Sequence, residues 1–254
     1  MISPDFAQSQ WQQWLQAFAI QPDSPLKAKR FYRAFRTKAQ PVLLGCGDGN
    51  DYIAKGQQAG RQIINDQIVA RLGTALGAPV GSPALIEIAP ELIEIEPNLA
   101  HIAPGVAHGS RYIPECFDQF TLIATSEPAN RSRLMRLALL YGWTHAKDHQ
   151  FLFSTTPPRL VHSVDHGHFF PNGPNWSILD LEQATPSSLD PYFIDCQFTD
   201  DEIQEGRRLL EQITLAEIVS AVAHPPDKWG ITVAERVAMV QYLKTQRQHL
   251  LSNL

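Results

Sequence analysis

The sequence predicts an α+β fold in two lobes, β-rich first and helix-rich after. Three observations predict it. Short apolar runs separated by turn residues fill the stretch from residue 31 to residue 96. Two Thr-x-x-Glu capping boxes, Thr199–Glu202 and Thr232–Glu235, stand near the other end and open long apolar-periodic stretches. The chain has 254 residues, 44% hydrophobic and 19% charged, enough for one large domain or two small lobes sharing a cleft.

Phe6, Trp11, Trp14, Leu15 and Phe18 recur at helical spacing, with glutamines opposite. They mark a docking helix, and residues 1–30 are expected to form a helical extension. Phe31–Phe35 alternates aromatic and basic residues and predicts a strand. Thr37–Pro41 is a turn, Val42–Cys46 an apolar strand, and Gly47-Asp48-Gly49-Asn50 a hairpin turn, since Asp-Gly and Gly-Asn tolerate positive φ. Tyr52–Gly56 returns as the third strand of an antiparallel meander, with Lys55 near its end. Arg61–Leu76 is a helix, with Ile64, Ile68, Leu72 and Leu76 four apart and Gly77 as terminator. Ala84–Glu96 reads as two short strands broken at Ala89-Pro90, and His101–Arg111 as a glycine-containing connector. The first lobe is placed at 31–112 and the second at 113–254. In the second, Arg131–Trp143 is a helix, Phe151–Phe153 and Leu160–Val164 pair as short strands, and 169–175 is a Pro/Gly/Asn loop. Thr199 opens a helix to about Val222, and Thr232 one to about Leu250.

Composition excludes several functions. A net charge of −5 and a pI near 6.0 leave no field that would gather nucleic acid, so no nucleic-acid partner is expected. The basic run Lys27, Lys29, Arg30, Arg33, Arg36 and Lys38 is expected to be a solvated strand edge and loop. Cys46, Cys116 and Cys196 are far apart and odd in number, which suits a reducing compartment and neither a disulfide framework nor a paired-cysteine zinc site. The N-terminal residues lack a basic start followed by an apolar core, and no apolar run would span a bilayer; a cytoplasmic location is expected.

Three segments concentrate reactive side chains. Lys55 follows an apolar strand and precedes a glycine; its ammonium could project into a cleft and neutralise phosphate oxygens, with Asp66 on the next helix holding it. The plain alternative is an exposed lysine and an exposed aspartate. Asp165 follows an apolar strand and stands two residues before Gly167, which suits a Mg²⁺ ligand turned into a cleft; the alternative is an Asp-capped turn. In His145–Gln150, Asp148 is the candidate for orienting a phosphoryl acceptor and Gln150 for a second metal oxygen. An exposed polar loop carries comparable weight there. His162, His166 and His168, with His145 and His149, could instead ligate Zn²⁺ or Fe²⁺ in a metal-dependent hydrolase.

The order of these features resembles the HipA-like kinase family, a branch of the protein-kinase-like fold. The matching stretches are Gln40-Pro41-Val42-Leu43-Leu44, Asp48-Gly49 with Tyr52-Ile53-Ala54-Lys55, and Asn65-Asp66 with Leu76-Gly77-Ala78-Pro79-Val80. Asp148-His149-Gln150-Phe151-Leu152 and His162-Ser163-Val164-Asp165-His166-Gly167 complete them. The resemblance implies a two-lobed kinase-like fold and a Mg·ATP-dependent phosphotransferase of unknown acceptor. Lys55 would bind the ATP phosphates and Asp165 the metal, and Asp148 would sit in the catalytic loop. Thr37–Gln40 would take the place of the phosphate-covering loop, with Lys38 and Gln40 as nucleotide contacts. Three departures stand out. No glycine lies between Arg36 and Pro41; Asp66 stands where a glutamate is usual; and the residue five after Asp148, an asparagine in the family, is Phe153. If Gln150 replaces that asparagine, the aspartate position falls on His145. A nucleotide-binding pseudokinase is therefore the alternative within the same fold.

Overall fold

The structure is a computed structural model that describes residues 3–254. It opens with α1 (Pro4–Ala17), whose start is set by Ser3: its hydroxyl accepts from the Phe6 amide, and Pro4 needs no amide partner at the first helical position. Ala7 and Trp11 bury its inner face, mainly against the last helix of the chain.

Five strands then close a small barrel: β1 (Leu26–Ala34), β2 (Val42–Cys46), β3 (Asp51–Lys55), β4 (Pro83–Ile88) and β5 (Gly105–Arg111). Their order around it is β1-β2-β3-β5-β4, and a parallel pairing of Leu26 and Lys27 with Ile86 and Glu87 closes the ring. Period-two alternation sends Val42, Leu44, Cys46, Tyr52, Ala54 and Ile86 into the barrel core. Ile53 and Lys55 therefore face out of it. The β2–β3 turn is held by Asp48, whose carboxylate accepts from the Asn50 amide, while Gly49 takes φ +81°.

Helix α2 (Gln62–Ala75) is buried along most of its length and lies between the barrel and the later helices. Past β4 come α3 (Pro90–Ile95) and, after β5, β6 (Cys116–Gln119). Then follow α4 (Pro128–Thr144), β7 (Phe151–Ser154), β8 (Val161–Ser163), α5 (Ile178–Glu182), α6 (Asp200–Gln212), α7 (Leu215–Ala223) and α8 (Val233–Ser252). Strands β6, β7 and β8 form a second, antiparallel sheet. The larger core joins α2, α4, α7 and α8 around Leu72, Leu137, Tyr141, Trp143, Val219 and Leu243. All three cysteines are free thiols. Among the described residues no helix is long and apolar enough to cross a membrane.

Four sequence expectations need correction. The second short strand expected within Ala84–Glu96 is helix α3, because Pro90 sits at its first position, where proline's fixed φ starts a helix. The connector expected at His101–Arg111 contains β5, which pairs with both β3 and β4 and is central to the barrel. Its small residues, Ala107 and Gly109, hid the strand pattern; a side chain on Gly109 would collide with Ile86. The helix expected from Thr199 to about Val222 is two helices, α6 and α7, parted by a further capping box at Thr214–Glu217. Strand β1 starts at Leu26, so the first sheet takes in residues 26–30 of the expected extension.

Helix α4 delivers the chain to the reactive loop at 145–150. It ends on His145, which takes the left-handed conformation at φ +51° while the Ala146 amide returns to the Tyr141 carbonyl. Gly142 lets the turn press against the Ser188 backbone, where a side-chain carbon would collide with the carbonyl oxygen. Gly142→Ala is expected to cost about 1–3 kcal/mol, the range for overpacked sites. A urea midpoint equal to wild type would show that the 185–190 segment yields freely.

Candidate functional site

Lys55 is the last residue of β3 and only 5% exposed, yet it is paired with two carboxylates. Its Nζ lies 3.0 Å from Asp66 Oδ2 and 2.6 Å from Asp165 Oδ1. Burial alone would lower the lysine pKa, but the two carboxylates more than offset it and hold the pKa above the ordinary lysine value. Burial pushes Asp66 up, and the Lys55 ammonium outweighs that push, so the carboxyl ends below the usual carboxylate range. Asp66 is itself buried, whereas the Asp165 side chain is 40% exposed. Asp165 follows β8 with φ +59°, a conformation aspartate tolerates, and this turns its carboxylate back towards β3.

The strand end carrying Asp165 is tied to α2 by Asn65, which is fully buried. Its Nδ2 donates to the carbonyls of Gly167 and Phe169, at 2.9 Å each, and its Oδ1 accepts from Trp176 Nε1 at 2.9 Å. Gly167 permits that approach, since a side chain there would collide with Gln62. Asn65→Leu keeps the branched shape and the number of side-chain heavy atoms but leaves two carbonyls and an indole N–H unpartnered. It is expected to cost about 2–4 kcal/mol, since each such orphan costs roughly 1–3 kcal/mol before relaxation. Chemical denaturation would measure it, and a loss below about 0.5 kcal/mol would mean that other groups hold the 167–169 turn.

Two buried histidines flank the ion pairs. His166 Nε2 lies 2.9 Å from Ser163 Oγ, which lies 2.5 Å from the Tyr141 hydroxyl. His108 Nδ1 meets the Gln67 amide at 2.7 Å; oriented to satisfy both ends, that amide donates to His108 and accepts from Arg71. Burial pushes both histidines down to about 4. Between the usual value near 6.5 and about 4, the unfolded chain takes up protons that the folded chain refuses. Stability is therefore expected to fall as pH drops through that window, by up to roughly 1.4 kcal/mol per pH unit for each histidine. Urea unfolding at pH 7 and pH 5 checks this, and equal midpoints would contradict it.

The ion pairs stand on the floor of a cleft of about 190 Å³. Phe35, Pro41, Ile53, Leu152 and Val164 supply apolar walls, and the Tyr112–Ile113 segment borders it. Gln150 opens into this cleft; Asp148 does not. Asp148 lines a second hollow of about 630 Å³ with Lys38, Lys147 and His168. The two hollows adjoin, because three short segments each serve both: Thr37 and Lys38, Gln150 and Asp148, His166 and His168. Gln40 lines neither, and its carbonyl accepts from His101 Nε2 at 3.0 Å.

The residues fit a metal–nucleotide pair. A half-exposed carboxylate, a charged lysine and an amide oxygen around an apolar-walled slot match what a base, phosphates and Mg²⁺ require, since Mg²⁺ needs few protein ligands when phosphates complete its shell. They do not fit a histidine-ligated metal. His162 packs against the Arg133 guanidinium and titrates near 4 through burial and that charge; His166 bonds Ser163; and His168 faces the second hollow. His145 bonds Tyr242 and the Thr185 carbonyl, and His149 meets Asp190 at 3.3 Å. Among the described residues no group of three His, Cys, Asp or Glu is placed to hold a metal ion.

Sequence reasoning did not find Asn65's ties, His108, the Ser163–His166–Tyr141 chain or the apolar walls. Only tertiary contact brings these residues together, although Asn65 beside Asp66 was a signal in the sequence.

A family model described as HipA-like kinase matches residues 31–167. None of the curated proteins matches the chain. Among solved structures, a Helicobacter pylori proinflammatory kinase, CtkA, superposes with a TM-score of 0.58 at 9% identity, covering 90% of this chain and 96% of that one. A Golgi casein kinase with Mn and ADP bound gives a TM-score of 0.47 at 12% identity, covering 97% of this chain and 77% of that one. At such identities the likeness to CtkA is one of fold: α+β and kinase-like.

Proposed function

The chain belongs to the HipA-like kinase family, and on that premise we propose that it is a phosphotransferase that binds Mg·ATP between a β-rich lobe, 26–112, and a helix-rich lobe, 113–254. The observation that carries this reading is the Lys55–Asp66–Asp165 constellation on the floor of an apolar-walled cleft.

The apolar walls would take the base. Lys55, kept protonated by its carboxylate partners, offers a fixed positive charge to phosphate oxygens. Asp66 holds that ammonium in place from α2. Asp165 and Gln150, both lining the cleft, would offer oxygen donors to a metal. Mg²⁺, when bound with the nucleotide, would supply further charge neutralisation at the transferring phosphoryl group. Asp148, in the adjoining hollow, would accept a hydrogen bond from the acceptor hydroxyl and orient it, with Lys38 alongside.

Binding without transfer is the second reading. It is favoured by the place of Asp148, which lines the neighbouring hollow and not the cleft of Lys55 and Asp165. Calorimetry with ATP and Mg²⁺, followed by a γ-phosphate transfer assay, tests both. Affinity with transfer supports the kinase and affinity without transfer the binding module. No affinity ends both readings.

A further inference from the structure

We propose that the outer face of β1 is a docking strip for an acidic polypeptide, which it leads towards the Asp148 hollow. The proposal rests on the phosphotransferase reading for its purpose but not for its surface.

Six of the chain's 21 Lys and Arg residues lie between Ser24 and Gly47, with none of its 26 Asp and Glu. All six, Lys27, Lys29, Arg30, Arg33, Arg36 and Lys38, are exposed. None forms an ion pair within the described residues. Lys27 has Glu87 as its neighbour in the parallel register, so the uncompensated charge begins at Lys29. Tyr32 is 45% exposed within the run, with Arg30 at 6.0 Å from its ring centroid; Arg33 lies 4.6 Å from that of Phe35. Arginines held near aromatic rings lose less side-chain freedom on meeting a carboxylate.

The strip runs on into the candidate site. Phe35 and Thr37 line the cleft and Lys38 the Asp148 hollow, so a chain laid along β1 from Lys29 arrives where an acceptor hydroxyl would be oriented. From Lys29 to Ala34 the strand covers about 20 Å of extended chain, and the segment beyond it leads through the bend at Thr37 to Lys38. Charge complementarity selects the partner. The whole chain carries −5, so away from this strip its field repels polyanions, which disfavours a long nucleic acid. Tyr32 is the sole large exposed apolar side chain on β1 among the described residues, too little to enter a lipid surface. A short acidic segment meets the strip alone.

The test is fluorescence anisotropy with a labelled twelve-residue peptide rich in Asp and Glu and bearing one serine. A single-stranded oligonucleotide of equal charge and phosphatidylserine vesicles are run beside it. The wild type is expected to bind the peptide, more weakly as salt rises, and the triple variant K29E/R30E/R36E to lose about tenfold or more in affinity. Mg·ATP affinity is expected to be the same in both proteins, which separates this surface from the cleft. No peptide binding by the wild type, equal binding by the variant, or tighter binding of the oligonucleotide or vesicles would each overturn the proposal. Loss of Mg·ATP affinity in the wild type would instead overturn the phosphotransferase reading and leave the docking strip standing.

Discussion

Lys55→Ala is expected to cost about 3–5 kcal/mol of stability as well as nucleotide binding. The reason lies in Asp66. Its carboxylate is buried and has Lys55 Nζ as its charged partner at 3.0 Å. Removing the lysine strands a carboxylate out of water, and the Asp66 pKa would rise until it takes up a proton. A loss of that size is a large share of the 5–15 kcal/mol that holds a typical domain together. The double variant K55M/D66N, which removes both charges, is expected to recover much of the stability and none of the nucleotide affinity. Urea denaturation of the three proteins at pH 7 reads the first effect and calorimetry with Mg·ATP the second. A single-variant loss under about 1 kcal/mol would mean that Asp66 reaches water.

Asp165→Asn is expected to separate the two effects. Its side chain is 40% exposed, and Lys55 keeps Asp66 when the Asp165 charge is gone. Stability should move by less than about 1 kcal/mol, as for other water-accessible pairs. Asparagine also tolerates the φ of +59° at this position, so the exchange tests charge and leaves the backbone alone. Mg·ATP affinity should fall at least about tenfold, near 1.4 kcal/mol. ATP affinity without Mg²⁺ should hold or rise, because a negative charge beside the phosphates is lost. Equal affinity for Mg·ATP in the two proteins would remove Asp165 as the metal ligand.

Part of the site was legible because its residues stand at element ends, where local rules speak. Lys55 closes a strand that an Asp-Gly turn had already fixed in register. Asp165 follows a short apolar strand and precedes a glycine by two, and Asp66 lies within a helix marked by a four-residue apolar repeat. The two carboxylates lie within hydrogen-bonding distance of the Lys55 Nζ. The barrel was less legible. Strand β5 reads Gly-Val-Ala-His-Gly-Ser-Arg, in which Val106 alone favours a strand and the two glycines weaken the pattern. It is a strand because β3 and β4 supply pairing partners on both sides, and that pairing brings His108 opposite Lys55. Helix α3 was misread because Leu92, Ile93 and Ile95 fit a strand as readily as one helical turn.

By itself the sequence determined the α+β class, the capped starts of α6 and α8, and the identities of Lys55, Asp66 and Asp165 as a possible set. These follow from periodicity, turn chemistry and the order of reactive groups, all local properties. Only the tertiary structure decided that Lys55 is buried, that Asn65 pins the Asp165 turn to α2, and that Asp148 faces a second hollow beside the cleft. Burial and convergence depend on which distant segments pack together: Lys55 and Asp165 stand 110 residues apart, and no local pattern records that distance being closed.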